Sequence, residues 1–219
     1  MSAERPRVVV LGLGRMGAAL ATALVRREVE VLAIDVRPEV VQTYSETIPN
    51  IVVADAADHE ALSQLELQSY DRAVVAIGEA LEASVLATSL LSELGVQEIW
   101  AKASSEQHAR ILKRMGAHHV VLPEHEAGAR LAHLVTGHML DFLAVDDDFA
   151  FIKTAVPKTL AGQVLGESGV RSRFGVTVVA IKPAGGDFGY ATAETRLGPD
   201  DVIVVSGASK DVTRFADLT

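Results

Sequence analysis

Three glycines, Gly12, Gly14 and Gly17, follow the apolar run Val8–Leu11 at G-x-G-x-x-G spacing. Glycines so placed allow a tight turn out of a strand, let backbone N–H groups approach a phosphate, and pack the following helix closely. The N-terminus of that helix adds partial positive charge for an anion. An acid, Asp35, closes the second apolar run about twenty residues further on. A carboxylate there accepts hydrogen bonds from ribose hydroxyls and disfavours a 2′-phosphate, or it caps the helix opened by Pro38. Arg15 stands between the second and third glycines. Its charged fork suits a polyphosphate better than a neutral nicotinamide ribose; otherwise it is a solvent-facing residue of the loop.

These residues need a strand–turn–helix frame, and the chain supplies one. RVVVLG, EVEVLAID, NIVVA, DRAVVAIG, EIWAKA and HHVVLP read as strands, separated by the amphipathic stretches RMGAALATALVRR, PEVVQTYSET, HEALSQL, LEASVLATSLLSELG and EQHARILKRMG. Continuous apolar strands alternating with helices imply a parallel sheet covered on both faces, a doubly wound Rossmann-like α/β fold. After Pro123 the rhythm changes. EHEAGARLAHLVTGHMLDFL reads as one helix, from Glu124 to about Phe142, followed by the acidic patch Asp146–Asp148. Strands at FAFIKTAV, VTVVAIKP and DVIVVSG, with short helices near Leu160 and Ser209, form a small α+β lobe. The expected division is residues 1–140 for the nucleotide-binding domain with its crossover helix, and 141–219 for a C-terminal lobe.

The opening resembles that of a dehydrogenase, yet the chemistry to follow it is missing. The later lysines, Lys153, Lys158, Lys182 and Lys210, lie in no glycine-rich helix. Tyr44, Tyr70 and Tyr190 are followed four residues on by Ile48, Val74 and Glu194, not by lysine. There is no G-x-S-x-G elbow and no P-loop. His59, His108, His118, His119, His125, His133 and His138 show no metal-ligand spacing and read as surface or partly buried side chains. The expectation is therefore a protein that is not an enzyme, the alternative being a small NAD-dependent oxidoreductase with an unrecognised site.

Composition narrows the classes further. Hydrophobic residues at 49% and charged residues at 22% suit an ordered globular chain. A net charge of −9, with no Lys/Arg run longer than a pair, leaves no basic face for nucleic acid. Without cysteine there is no disulfide and no thiolate metal site. The polar opening MSAERPR and strand-length apolar stretches point to a cytoplasmic protein that does not enter the bilayer.

The ordered set VLGLGRMG, VLAID, ADAAD, VVAIGEALEASVLATSLLSELG, IWAKASSEQHARILKRMGAHHVVLPEHEAG, FGVTVVAIKPAG and DDVIVVSGASKDVTRF resembles the RCK (regulator of potassium conductance) subunits of bacterial Ktr/Trk potassium-uptake systems, of KtrA type. The resemblance covers essentially the whole chain. It implies an RCK N-lobe that binds ATP or ADP, or NAD(H), through Gly12, Leu13, Gly14, Arg15, Met16, Gly17, Asp35, Asp55, Ala56, Ile77, Gly78, Lys102 and Glu124. In it, Arg15 reaches the terminal phosphates. Asp55 contacts the adenine region or caps a short helix. Glu124 helps hold Mg2+ or another cation at the γ-phosphate, or begins the helix after Pro123. Lys102 lies near the nucleotide or is a solvated strand-end lysine. The resemblance also implies a C-lobe that takes cyclic di-AMP in some members, near Arg171 and Arg173. It further implies an octameric homo-oligomeric ring of dimers, cytoplasmic and peripheral to the membrane, docked on a potassium-translocating subunit of KtrB or TrkH type.

Overall fold

A computed structural model describes residues 6–135 and 139–219. The chain forms two compact units, 1–124 and 125–219. In the first, six strands lie parallel in the order β3-β2-β1-β4-β5-β6. They are β1 (Arg7–Leu11), β2 (Glu30–Asp35), β3 (Asn50–Val53), β4 (Arg72–Val75), β5 (Glu98–Lys102) and β6 (His119–Val121). The connecting helices are α1 (Arg15–Arg26), α2 (Pro38–Tyr44), α3 (His59–Ser63), α4 (Leu81–Glu93) and α5 (Glu106–Arg114).

Strand alternation divides the core. Val8 and Val10 turn to one face with Val31 and Ala33 of β2, packing on Ala18 and Ala21 of α1. Val9 and Leu11 turn to the other with Leu32 and Ile34, in a cluster that includes Leu62, Leu91 and Leu112. Burial on both faces is what makes these strands read as unbroken apolar runs. Local chemistry fixes the helix ends. Asp58 caps α3 by accepting from the backbone N–H groups of Glu60 and Ala61 at 2.8 and 3.3 Å. Ser105 caps α5 by accepting from the N–H of His108 at 3.1 Å. Gly95 and Gly116, at φ 80° and 105°, take the left-handed conformation that ends α4 and α5.

The second unit contains a five-stranded antiparallel sheet, ordered β10-β9-β11-β8-β7. Its strands are β7 (Asp141–Asp146), β8 (Phe149–Ala155), β9 (Val176–Lys182), β10 (Gly189–Tyr190) and β11 (Val202–Ala208). Short helices α7 (Leu165–Ser168) and α8 (Val170–Phe174) precede β9, and α9 (Ser209–Ala216) closes the chain. Ile152, Val178, Ile203 and Val205 of the sheet share a core with Val212 and Phe215 of α9.

Three expectations are corrected here. The helix read from Glu124 to Phe142 is observed as α6 (Pro123–Val135), residues 136–138 lie outside the described residues, and Asp141–Asp146 is a strand. Ladder pairing overrides helical periodicity: Asp141 stands opposite Lys153, and Phe142 opposite Ile152. The acidic patch is the turn of this hairpin, where Asp146 accepts from the N–H of Asp147 at 2.9 Å. Most of α6 lies in the second unit, which begins at residue 125. Arg130 pairs with Asp141 at 2.7 Å, and His133 stacks on Phe142 with ring centres 3.9 Å apart. The helix expected near Leu160 starts instead at Leu165; Leu160 is buried in a turn, its N–H bonded to the carbonyl of Pro157 at 2.8 Å. His108, expected at the surface or partly buried, is fully buried at 1% exposure, with Nδ1 accepting from the N–H of Ser104 at 3.2 Å.

Phe215 is fully buried and packs edge-on to Phe174, ring centres 5.5 Å apart. Phe215→Ala is expected to destabilise the protein by about 3–5 kcal/mol in denaturant unfolding. A loss under about 1 kcal/mol contradicts the packing described here.

Candidate nucleotide site

In the strand order, β1 and β4 are the switch point from which successive connections run in opposite directions, leaving a crevice at the carboxyl ends of the strands. A cleft of about 850 Å³ opens there. Of the residues named from the sequence, Gly12, Leu13, Gly14, Arg15, Met16, Asp35, Asp55, Ala56, Ile77, Gly78, Lys102 and Glu124 line it; Gly17 does not.

Each glycine has its own reason. Gly12 adopts φ 90°, its N–H donates to the carbonyl of Ile34 at 2.8 Å, and a Cβ there would meet Ile77 Cγ1 at 2.9 Å. Gly14 is the N-cap of α1, and nothing lies within 4 Å of where its Cβ would be. The space is open to a ligand. A Cβ on Gly17 would collide with the carbonyl oxygen of Gly12, so Gly17 lies beneath the cleft and lets α1 approach β1. No side chain caps α1 and no acid occupies its first turn. The first N–H groups of the helix are left without an intrahelical acceptor, with the positive end of its dipole beside the cleft.

Asp35 is 5% exposed and does not cap α2; the N-cap is Arg37. Its Oδ2 accepts from the N–H of Leu13 at 2.7 Å, which ties the end of β2 to the glycine loop. Arg37, which the sequence reading missed, supplies three further contacts. Its N–H and Nε donate to Oδ1, both at 2.9 Å, and its Nη2 donates to Oδ2 at 3.0 Å. Burial pushes the Asp35 carboxyl up, but the bonds from Arg37 and Leu13 outweigh it and hold the group below its ordinary 3.8. The signal for Arg37 lies in its position, two residues past the acid and one before Pro38.

Across β1 from Asp35, the ends of β5 and β6 bring in a second charged pair. Lys102 Nζ donates to Glu124 Oε1 at 2.7 Å. Gly78 makes room for it, since a Cβ there would lie 2.9 Å from Nζ. Lys102, and more weakly Arg15, hold the Glu124 carboxyl below its ordinary range. Glu124 also lies in the first turn of α6, where a negative charge favours the helix dipole. Among the described residues no group of three or more His, Asp or Glu side chains is arranged to hold a metal ion. A cation at Glu124 would need its remaining ligands from phosphate and water, and would have to displace the Lys102 ammonium. Asp55 lines the cleft, and its carboxylate closes a local turn by accepting from the N–H of Ala57 at 2.9 Å; the cap of α3 is Asp58 instead.

In the second unit Arg171 Nε donates to Thr177 Oγ1 at 3.2 Å. Arg173 Nη1 donates to the carbonyl of Ser168 at 3.0 Å and lies over the Phe174 ring. Both guanidinium groups are thus tied to their own segment. No helix among the described residues is long and apolar enough to cross a membrane.

The fold defines a Rossmann-type lobe with an open cleft at the strand ends, followed by a small antiparallel α+β unit. The TrkA-N domain model matches residues 8–123 and the TrkA-C domain model residues 151–219. The chain belongs to the TrkA-N/TrkA-C family. It is 34% identical over 207 residues to Ktr system potassium uptake protein C of Bacillus subtilis, covering 94% of each chain. It is 31% identical over 213 residues to Ktr system potassium uptake protein A of the same organism, covering 97% of this chain and 96% of that one. Among solved structures it shares the fold of the GsuK RCK domain, at 18% identity and a TM-score of 0.67, over all of this chain and 48% of that one. A GsuK channel bound to NAD matches at 17% identity and a TM-score of 0.66, over all of this chain and 40% of that one. The family resemblance expected from the motifs is the one found.

Asp35 contributes stability that is complete above its unfolded-state pKa and is lost as pH falls through its depressed native value. Asp35→Asn is therefore expected to lower unfolding free energy at pH 7 by about 1–3 kcal/mol. The gap to wild type should close as the pH drops below 3.8. A gap that stays constant through that range contradicts the ionised-carboxylate network.

Proposed function

We propose that this protein is a nucleotide-sensing regulatory subunit, not an enzyme, and that it acts on a potassium-translocating membrane partner of KtrB or TrkH type. The observation that carries this reading is the charge layout of one cleft. A glycine loop, an uncompensated helix N-terminus and a buried ribose-side acid adjoin Arg15, Lys102 and Glu124. The first group suits an adenosine with its inner phosphates, and the cations Arg15 and Lys102 of the second suit additional phosphate charge. Family membership and the Ktr relatives support the potassium-uptake context.

The cleft's chemistry speaks for sensing over hydride transfer. Its carboxyls with shifted pKa values, Asp35 and Glu124, are both pushed down, so they stay ionised and are poor proton shuttles near pH 7. ATP and ADP share every contact except those to the γ-phosphate, so only those contacts can favour one conformation over another. A coupling of about 1–3 kcal/mol per site, repeated around a homo-octameric ring of dimers, is enough to bias a gate. NAD(H) fits the same adenosine end. A cation at the γ-phosphate and cyclic di-AMP in the C-terminal lobe remain expectations from the family. The site of action is the cytoplasmic face of the membrane, reached through the partner.

Arg15→Ala should weaken ATP binding about tenfold, and ADP binding less than threefold, by titration calorimetry. Equal losses for both nucleotides count against a γ-phosphate sensor. NADH binding with turnover of a hydroxy acid overturns the non-enzymatic reading.

A further inference from the structure

The Asp35 carboxylate is saturated before any ligand arrives. Its two oxygens accept four hydrogen bonds, two from the backbone (Leu13 and Arg37) and two from the Arg37 guanidinium. Four is the full acceptor capacity of a carboxylate. A ribose hydroxyl therefore finds no free lone pair there and must displace a donor already in place. The backbone donors are fixed by the loop and by the start of α2. The guanidinium is the donor able to leave: its side chain is 51% exposed against 4% for Asp35, and it lines the same cleft.

We propose that Arg37 is the specificity-determining residue at the ribose end of the cleft. It competes with a free ribose diol for Asp35, and it supplies the counter-charge for a ribose carrying a 2′-phosphate. The expectation that Asp35 repels a 2′-phosphate treats the carboxylate as bare, whereas here it is half of a neutral pair. Only Nε and Nη2 are spent on Asp35, so the other guanidinium donors stay available to phosphate oxygens while the pair remains intact. A diol has to break the pair. Two carboxylates near the guanidinium, Glu39 and Glu79, give the released group other partners, and Glu79 lines the cleft with it. A merely structural ion pair would affect both kinds of ligand alike.

This inference rests on the nucleotide-site reading, and one set of titrations separates the two. AMP and adenosine 2′,5′-bisphosphate differ by the 2′-phosphate alone, and each is titrated calorimetrically into the full chain, with ADP alongside. In Arg37→Ala the bisphosphate is expected to bind about tenfold more weakly, while AMP binds unchanged or up to about threefold more tightly. Arg37→Gln reads the same ratio should the alanine variant fail to fold. A common factor for both ligands, or an unaffected bisphosphate, overturns the role of Arg37 and leaves the nucleotide site standing. A wild-type protein that binds neither ADP nor AMP overturns the nucleotide site itself.

Discussion

The first unit turns on a buried negative charge that must be satisfied. Asp35 has almost no contact with water, and an isolated carboxylate in that position would be strongly destabilised. The N–H of Leu13 is one of its partners, so the glycine loop is held where the carboxylate needs it. The rest of the loop follows. Gly12 bonds back to Ile34, Gly17 packs against the Gly12 carbonyl, and α1 starts at Arg15 with its N-terminus on the cleft. One side-chain charge thus joins β2 to the glycine loop after β1 across their parallel pairing. The glycines make that geometry possible, and Asp35 selects it.

The switch point separates two kinds of charge. On the β2 side a carboxylate and a guanidinium neutralise each other, so a sugar hydroxyl has to displace the guanidinium to reach the carboxylate. On the β5 side Lys102 and Glu124 form a comparable pair. Both pairs stand at cleft positions where a ligand would contribute its own hydroxyls or phosphates, so binding at either end is an exchange of partners. Such exchanges tune selectivity more than affinity, because what is gained with the ligand is offset by what is broken. That property fits the nucleotide-sensing role proposed above.

Much of this was legible in the sequence, for physical reasons. Doubly buried strands read as apolar runs, and the glycine spacing followed by an acid is constrained by phosphate and ribose geometry; both survive without tertiary information. What escaped depends on pairing across the chain. Asp141 and Phe142 read as the end of a helix because they continue the α6 pattern, and only the ladder with β8 makes them part of a strand. Asp55 and Asp58 are equally good caps by type, and the backbone chooses Asp58. The Lys102–Glu124 contact joins residues from separate elements, and no spacing rule links them. Arg37 neighbours the acid in sequence, but residue type and spacing do not reveal that its side chain folds back onto Asp35.

The central claim is that the loop from Gly12 to Gly17, anchored by Asp35, is the anion-binding floor of an adenine-nucleotide site. Amide hydrogen exchange with and without saturating ADP tests it most directly. The account predicts slowed exchange at Gly12–Gly17 and at the start of α1. Binding of ADP with no protection in that segment, or no binding at all, contradicts it.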